Sequence, residues 1–198
     1  GQPALPEAAV PAHQHPENAA AALLAALAFL RAGGRDPDLD ALEAALRGFP
    51  GVEGRFQAVA EVNGTVFVDD SIATRTISVE AALKSARAPI AWIVGGLDKG
   101  ADLAPLREAA RGKVARLIAV GRDGPSLAER LGVADTTVVN EPDGWDAMRA
   151  ACRAGLEAAP NGTVLLAPIG TSFDQFRDYR ERGEAFAAAA RELREAVA

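Results

Sequence analysis

The alternating run Thr65-Val66-Phe67-Val68 breaks into Asp69-Asp70-Ser71-Ile72-Ala73-Thr74-Arg75, and a helical pattern takes over from about Thr76 to Ala86. A strand that hands over to a helix through a polar loop is half of a β-α unit, and the pattern recurs. Ile90 to Val94 runs into Gly95-Gly96-Leu97-Asp98-Lys99-Gly100, and Thr163 to Leu166 runs into Ala167-Pro168-Ile169-Gly170-Thr171-Ser172. Further strand signals at Ala115 to Val120 and Thr136 to Val139 alternate with helical stretches near Leu103 to Ala110, Ser126 to Leu131, Trp145 to Ala158 and Phe173 to Val197. Ahead of them, Phe56 to Val62 and Thr65 to Val68 flank Asn63-Gly64, a strong hairpin turn signal. A hairpin followed by repeated β-α units implies an α/β fold with a doubly wound, mostly parallel sheet. Ligands of such sheets sit outside the carboxyl ends of the strands. The three polar loops are therefore expected to form one site.

Totals narrow the function classes. The 198 residues suffice for one α/β domain plus an appendage, with no need of disulfides or metal to hold a core. Hydrophobic residues make up 49% but aromatics only 5%, so close-packed helices with small side chains at their contacts are expected. The net charge of −6, with both signs interspersed, argues against nonspecific nucleic-acid binding. The single cysteine, Cys152, excludes an intrachain disulfide framework and suits a reducing cytoplasm; on the apolar side of a helical pattern it reads as buried filler. No apolar run approaches the ~20 residues of a membrane span, so no membrane insertion is expected. The start has no charged n-region and no initiator Met, which reads as a trimmed chain or a piece of a longer one.

Residues Gly1 to Glu17 read as a linker rich in Pro and Ala, in which His13 and His15 alone make a weak metal signal. A helix from Asn18 to Ala32 ends at Gly33-Gly34, and a second runs from about Asp38 to Arg47 after Asp36-Pro37. This helical hairpin has too little apolar surface of its own and is expected to pack on something else. Phe49-Pro50-Gly51 marks a domain boundary. In the last helical stretch, Ser172-Phe173-Asp174-Gln175 fits a capping box with Ser172 as N-cap. Phe173, Phe176, Tyr179, Gly183, Phe186, Ala190, Leu193 and Val197 would form its apolar stripe. Ser172 then either only caps or adds a hydroxyl to the free N–H groups of a helix start, which suit an anion.

Together the loops offer Asp70 as an acceptor for a ribose diol, Thr74 and Ser172 for a carboxylate, Lys99 for charge and Arg55 for phosphate. Lys99 is one of only three lysines among 21 basic residues. There is no G-x-x-x-x-G-K-[ST] or G-x-G-x-x-G fingerprint, no Ser-His-Asp triad and no metal cage. Chemistry alone stops at an anion-binding α/β domain, half of an active site.

The motifs go further. Gln14-His15-Pro16-Glu17-Asn18-Ala19 resembles the G-x-H-N-x-x-N-A segment of the Mur ligase family, and Phe49-Pro50-Gly51-Val52-Glu53-Gly54-Arg55-Phe56 its F-x-G-x-x-H-R-x. Asp70-Ser71-Ile72-Ala73-Thr74-Arg75 is similar to D-S-K-A-T-N, and Gly95-Gly96-Leu97-Asp98-Lys99 to the G-G-x-x-K loop. Leu165 to Gly183, with Ser172-Phe173-Asp174-Gln175-Phe176 and Arg182-Gly183, resembles L-L-S-P-x-x-A-S-x-D-Q-F…R-G. Five motifs in order and spacing carry the resemblance from about Ala12 to the end. Gly54 and Gln14 stand where the family has His, His15 and Arg75 stand on Asn positions, and Ile72 and Ala167 replace Lys and Ser.

The resemblance implies a Rossmann-like third domain (49–198) behind the helical tail (18–48) of a central ATPase domain, in a bacterial cytoplasmic ligase of peptidoglycan synthesis. It implies ATP and Mg2+ as cofactors, with the metal ligands in the absent N-terminal and central domains, and glutamate and UDP-N-acetylmuramoyl-L-alanine as substrates. The acceptor's carboxylate would be phosphorylated and the glutamate amine would displace the phosphate. By the same resemblance Asn18 would contact adenine, Asp70 the ribose and Arg55 a phosphate, while Thr74, Lys99, Ser172 and Tyr179 would hold glutamate. The family's principal glutamate branch uses D-glutamate; a sister branch adding L-glutamate, another Mur or folylpolyglutamate ligase, and a non-catalytic nucleotide- or amino-acid-binding module remain open. The chain is expected to fold but not to catalyse alone.

Overall fold

A computed structural model describes residues 16–49 and 51–197. Of the linker expected at Gly1 to Glu17, only Pro16 and Glu17 are described, and they open the first helix; Gln14, His13 and His15 lie outside the described residues. The chain divides into two compact units, Gly1–Gly51 and Val52–Ala198. The first carries α1 (Pro16–Ala32) and α2 (Leu39–Arg47). Gly34, at φ +67°, closes α1: its N–H reaches Arg31 O, and the N–H of Arg35 reaches back to Leu30 O. Asp38 caps α2 by accepting from Ala41 N at 3.0 Å.

The second unit is a six-stranded sheet. In chain order it contains β1 (Gln57–Val62), β2 (Thr65–Asp69), α3 (Thr76–Ser85), β3 (Ile90–Gly95), α4 (Ala104–Ala110), β4 (Val114–Val120), α5 (Gly124–Leu131), β5 (Thr136–Val138), α6 (Gly144–Ala158), β6 (Thr163–Ile169) and α7 (Tyr179–Ala196). The strands lie in the order β1-β2-β6-β3-β4-β5. Only the β1–β2 pair is antiparallel, joined at Asn63 (φ 49°) and Gly64 (φ 78°), the two positive φ values a tight primed hairpin turn demands. The doubly wound, mostly parallel sheet expected from the repeated β-α pattern is thus the observed architecture.

Side chains of successive strand residues point to opposite faces. In β3, Trp92 joins Leu83, Leu106 and Leu127 in one core, under α3, α4 and α5. Its neighbour Ile93 joins Phe67, Met148 and Phe186 in the other, under α6 and α7. Every residue of β3 is buried, as a central strand covered on both faces must be. Burying each large side chain of this kind contributes about 1.5–3 kcal/mol. The small-residue contacts are present too: α6 buries Ala147, Ala151 and Gly155, and α7 buries Ala185, Ala189 and Ala190. Cys152 belongs to the α6–α7 core, its Sγ 3.9 Å from Phe186 O, and burial pushes its thiol pKa upward.

The last helix departs from the sequence expectation. It starts at Tyr179 rather than Phe173, and its N-cap is Asp178, whose carboxylate accepts from Arg180 N (2.8 Å) and Glu181 N (3.0 Å). The capping box does not form: Gln175 donates its side-chain amide to Glu141 O instead, and Ser172 opens a tight turn whose carbonyl accepts from Gln175 N and Phe176 N. Phe173 and Val197 are exposed rather than part of the stripe. A second capping sequence, Asp178 with acidic Glu181 three residues later, starts the helix instead.

Candidate functional site

The chain leaves β3 through α4 on one face of the sheet, and leaves β6 toward α7 on the other. The carboxyl ends of these adjacent strands therefore stand at the point where the winding reverses, where the binding crevice of an open α/β sheet is expected. β2 lies on the far side of β6, so the three polar loops come from three neighbouring strands, as expected. Backbone hydrogen bonds fasten them together. Asp70 N donates to Leu166 O (2.9 Å), Ile169 N to Ala73 O (3.2 Å), and Leu97 and Thr171 exchange bonds of 2.8 and 2.9 Å. Gly96 makes this last approach possible, because a Cβ there would stand 2.1 Å from Thr171 O. Ile169, a β-branched residue at φ +68°, is strained at the same place.

Asp69 and Asp70 end β2 and are both buried. Asp69 Oδ1 accepts from Ser71 N at 2.8 Å, and Asp70 Oδ1 accepts from Phe56 N at 3.2 Å. The other Asp70 oxygen, Oδ2, is buried with no partner among the described residues. Burial raises both carboxyls. It carries Asp70 to about 7, with the neighbouring Asp69 charge adding to the rise against the Phe56 N–H and the Arg55 guanidinium. Arg55 itself is exposed and makes no salt bridge among the described residues.

Thr74 is half-buried on the loop after β2, its N–H turned to Ile72 O at 2.8 Å. Ser172 is buried on the loop after β6. Lys99 is exposed on the loop after β3, with no hydrogen bond or ion pair among the described residues. Tyr179 stands at the start of α7, its ring 3.7 Å from where a Cβ on Gly54 would lie, which sets it beside the segment that carries Arg55. Gly54 has φ +70°, and Ser71 Oγ lies 2.9 Å from the same point, so no side chain fits there unstrained. The structure thus gathers Arg55, Asp70, Thr74, Lys99, Ser172 and Tyr179 on loops at one end of the sheet. Asn18 is exposed on α1, in the other unit. Because Ser172 is not at a helix start, any anion it holds is met by its hydroxyl and turn, not by a helix dipole.

Sequence reading met Arg182 only as part of the Arg182-Gly183 motif and gave it no role. Its guanidinium is buried and donates to Gly170 O (3.0 Å) and Ser71 O (2.9 Å). Burial lowers its pKa to about 10, against the fields of Asp174 and Asp69, so it remains a cation at neutral pH. The signal was present: Arg182 falls between Tyr179 and Phe186 on the apolar stripe of α7, where a cation needs a reason. Asp98 is the second omission. Its Oδ1 accepts from Gly100 N and Ala101 N, both at 3.1 Å, which shapes the loop bearing Lys99, and its Oδ2 meets Arg130 at 2.5 Å. Among the described residues no group of three or more His, Cys, Asp or Glu could hold a metal ion, and no helix is long and apolar enough to cross a membrane.

Comparison with known proteins agrees with this fold. The profile of the family described as "Mur ligase, glutamate ligase domain" matches residues 54–170. The UDP-N-acetylmuramoylalanine--D-glutamate ligase of Deinococcus radiodurans is 55% identical over 197 residues, which is 98% of this chain and 43% of that protein. Its namesake from Thermus thermophilus is 53% identical over 170 residues, 85% of this chain and 40% of that protein. The chain therefore spans about two fifths of the length of these curated relatives. Among solved structures, the Thermotoga maritima MurF ligase in complex with ADP aligns at a TM-score of 0.53 and 15% identity, over 87% of this chain and 37% of that one. The MurC ligase of the same organism aligns at 0.55 and 17%, over 86% and 37%. These two establish the shared fold, while the family profile and the sequence identity go further: the chain belongs to the Mur ligase family and carries its glutamate ligase domain.

Proposed function

We propose that this chain is the amino-acid-binding part of an ATP-dependent ligase that joins D-glutamate to UDP-N-acetylmuramoyl-L-alanine in the bacterial cytoplasm, for peptidoglycan synthesis. The observation that carries the reading is the 55% identity to a D-glutamate ligase over nearly the whole chain. The crevice supports it with the right chemistry. Lys99 and the hydroxyls of Thr74 and Ser172 suit the carboxylates of glutamate, with Tyr179 at the pocket's edge. The unpaired Asp70 Oδ2 suits a ribose hydroxyl, and the unpaired Arg55 suits a phosphate.

ATP supplies the phosphoryl group that turns the acceptor's carboxylate into an acylating agent. This chain's residues do the rest by position: they fix the glutamate so that its amine faces the activated carbonyl, and they balance its two negative charges. No metal ligand is assigned to this chain; Mg2+ would be held by the preceding domains. On this reading residues 1–17 are a linker, 18–48 the tail of the ATPase domain with Asn18 toward adenine, and 49–198 the ligase domain.

The test is phosphate release by the full-length protein with ATP, magnesium and UDP-N-acetylmuramoyl-L-alanine. Release that depends on D-glutamate supports the reading, and release with L-glutamate alone moves the enzyme to the sister branch. No release with either leaves a binding module. The 198-residue chain alone is expected to release none.

A further inference from the structure

The groups assigned to glutamate sit on three different loops, and one side chain is bonded to two of them and lies beside the third. Arg182 Nη2 donates to Ser71 O at 2.9 Å, in the loop after β2 that carries Thr74. Its Nη1 donates to Gly170 O at 3.0 Å, in the loop after β6 that carries Ser172. The same Nη1 lies 3.1 Å from the position a Cβ on Gly96 would take, in the loop after β3 that carries Lys99. No carboxylate forms a salt bridge with this guanidinium among the described residues; Asp69 and Asp174 act on it only through their fields. A buried cation that gives its donors to loop carbonyls, rather than to an acid, is holding those loops in place. Its planar fork fixes the angle between the two carbonyls, which an ammonium on a flexible stem does not.

D- and L-glutamate carry the same groups. A site separates them only when at least three attachment points keep fixed relative positions, so that the wrong enantiomer leaves a buried group unpaired. Thr74, Lys99 and Ser172 are three such points, and their spacing is the spacing of the three loops. We infer that Arg182 is the positioning residue that sets the discrimination between glutamate enantiomers, by bonding the loops after β2 and β6 at one separation and filling the space beside the loop after β3. The inference rests on the glutamate reading above. Asp70 makes a useful internal contrast, because Phe56 N and Leu166 O fix it without help from Arg182. Nucleotide binding is therefore expected to be insensitive to changes at Arg182.

The experiment uses the full-length ligase with Arg182→Lys, Arg182→Gln and Arg182→Met. Thermal unfolding identifies the variants that fold, and Arg182→Met is included because an apolar replacement of a buried cation is often tolerated. In folded variants the ratio of kcat/KM for D- over L-glutamate is expected to fall at least roughly tenfold, through a raised KM for D-glutamate. The KM for ATP is expected to stay within about twofold. An unchanged ratio in a folded variant overturns the inference, as does a parallel rise in both KM values, which is the mark of general loosening. Failure of all three variants to fold also overturns it, since the residue is then a requirement of the fold. A wild-type enzyme that releases phosphate with neither enantiomer sinks the underlying reading instead, and the wild-type control separates the two failures.

Discussion

The carboxyl edge of the sheet has two halves that treat their polar groups in opposite ways. Around β4 and β5 they are paired within the chain. Arg122 meets Asp123, Arg130 meets Asp98, and Asp174 accepts from Arg122 N at 2.8 Å. Asp123 and Asp98 are held below the usual carboxylate range. The Arg122 guanidinium is the chief cause at Asp123; at Asp98 burial pulls the other way, and its N–H donors and Arg130 together outweigh it. Around β2 and β6 the groups are left open. Asp70 Oδ2, Ser71 Oγ and Arg182 Nε are buried without partners, and Arg55 and Arg75 form no ion pairs among the described residues. Burial raises the acids on that side. The same residue types are thus paired within the chain in one half and left unpaired in the other. Unsatisfied groups are costly, and a fold keeps them where something else satisfies them.

The sharpest way to break this contrast is Asp70→Asn. Asp70 has a folded-state pKa of about 7, against about 3.8 when exposed, so the native state binds the extra proton. Its contribution to stability is therefore best at low pH, falls as pH rises from about 4 to 7, and is a full penalty above 7. Asn keeps an acceptor for Phe56 N without the charge. The variant is expected to gain stability at pH 8 relative to pH 5, on the order of 3 kcal/mol, while nucleotide affinity drops. Denaturant titrations at the two pH values check it, and an equal change at both would count against the buried-acid account.

Lys99→Met comes next. Lys99 has no partner among the described residues, so thermal stability is expected to stay put while the KM for glutamate rises roughly 30-fold, about 2 kcal/mol for a lost charge-assisted bond. A stability loss without a KM change would place Lys99 on the structural side. Gly183→Ala tests the floor of the open half. The new Cβ would stand 2.6 Å from Asp69 Oδ2 and 2.8 Å from Ser71 Oγ, both on short side chains, so a loss of about 1–3 kcal/mol is expected in chemical denaturation. The smallest effect belongs to the paired half: Arg130→Gln removes a partly exposed ion pair, for a loss of at most about 1 kcal/mol and no change in either KM.

The sheet was legible because its signals are local. Alternation, the Asn63-Gly64 turn and the apolar run of β3 name their own structure, and the order of units leaves one winding. The site was half legible. Loop residues such as Asp70 and Lys99 announce themselves by chemistry after a strand, so their shared edge followed from topology. Arg182 did not, because its role depends on two carbonyls separated from it by 111 and 12 residues. The start of α7 was misplaced for a related reason. Ser172 with Gln175 and Asp178 with Glu181 are both plausible caps, and the choice was made by tertiary packing, including the claim of Glu141 O on Gln175.

Cys152 has a practical consequence. It is the chain's single thiol, fully enclosed between α6 and α7, and held protonated there by burial. Thiol reagents attack the thiolate, so the folded unit is silent to them. Labelling then proceeds only through molecules in which the α6–α7 layer has come away. The alkylation rate of this one atom, read by mass, reports the opening equilibrium of that layer directly, with no probe added and no residue of the crevice disturbed.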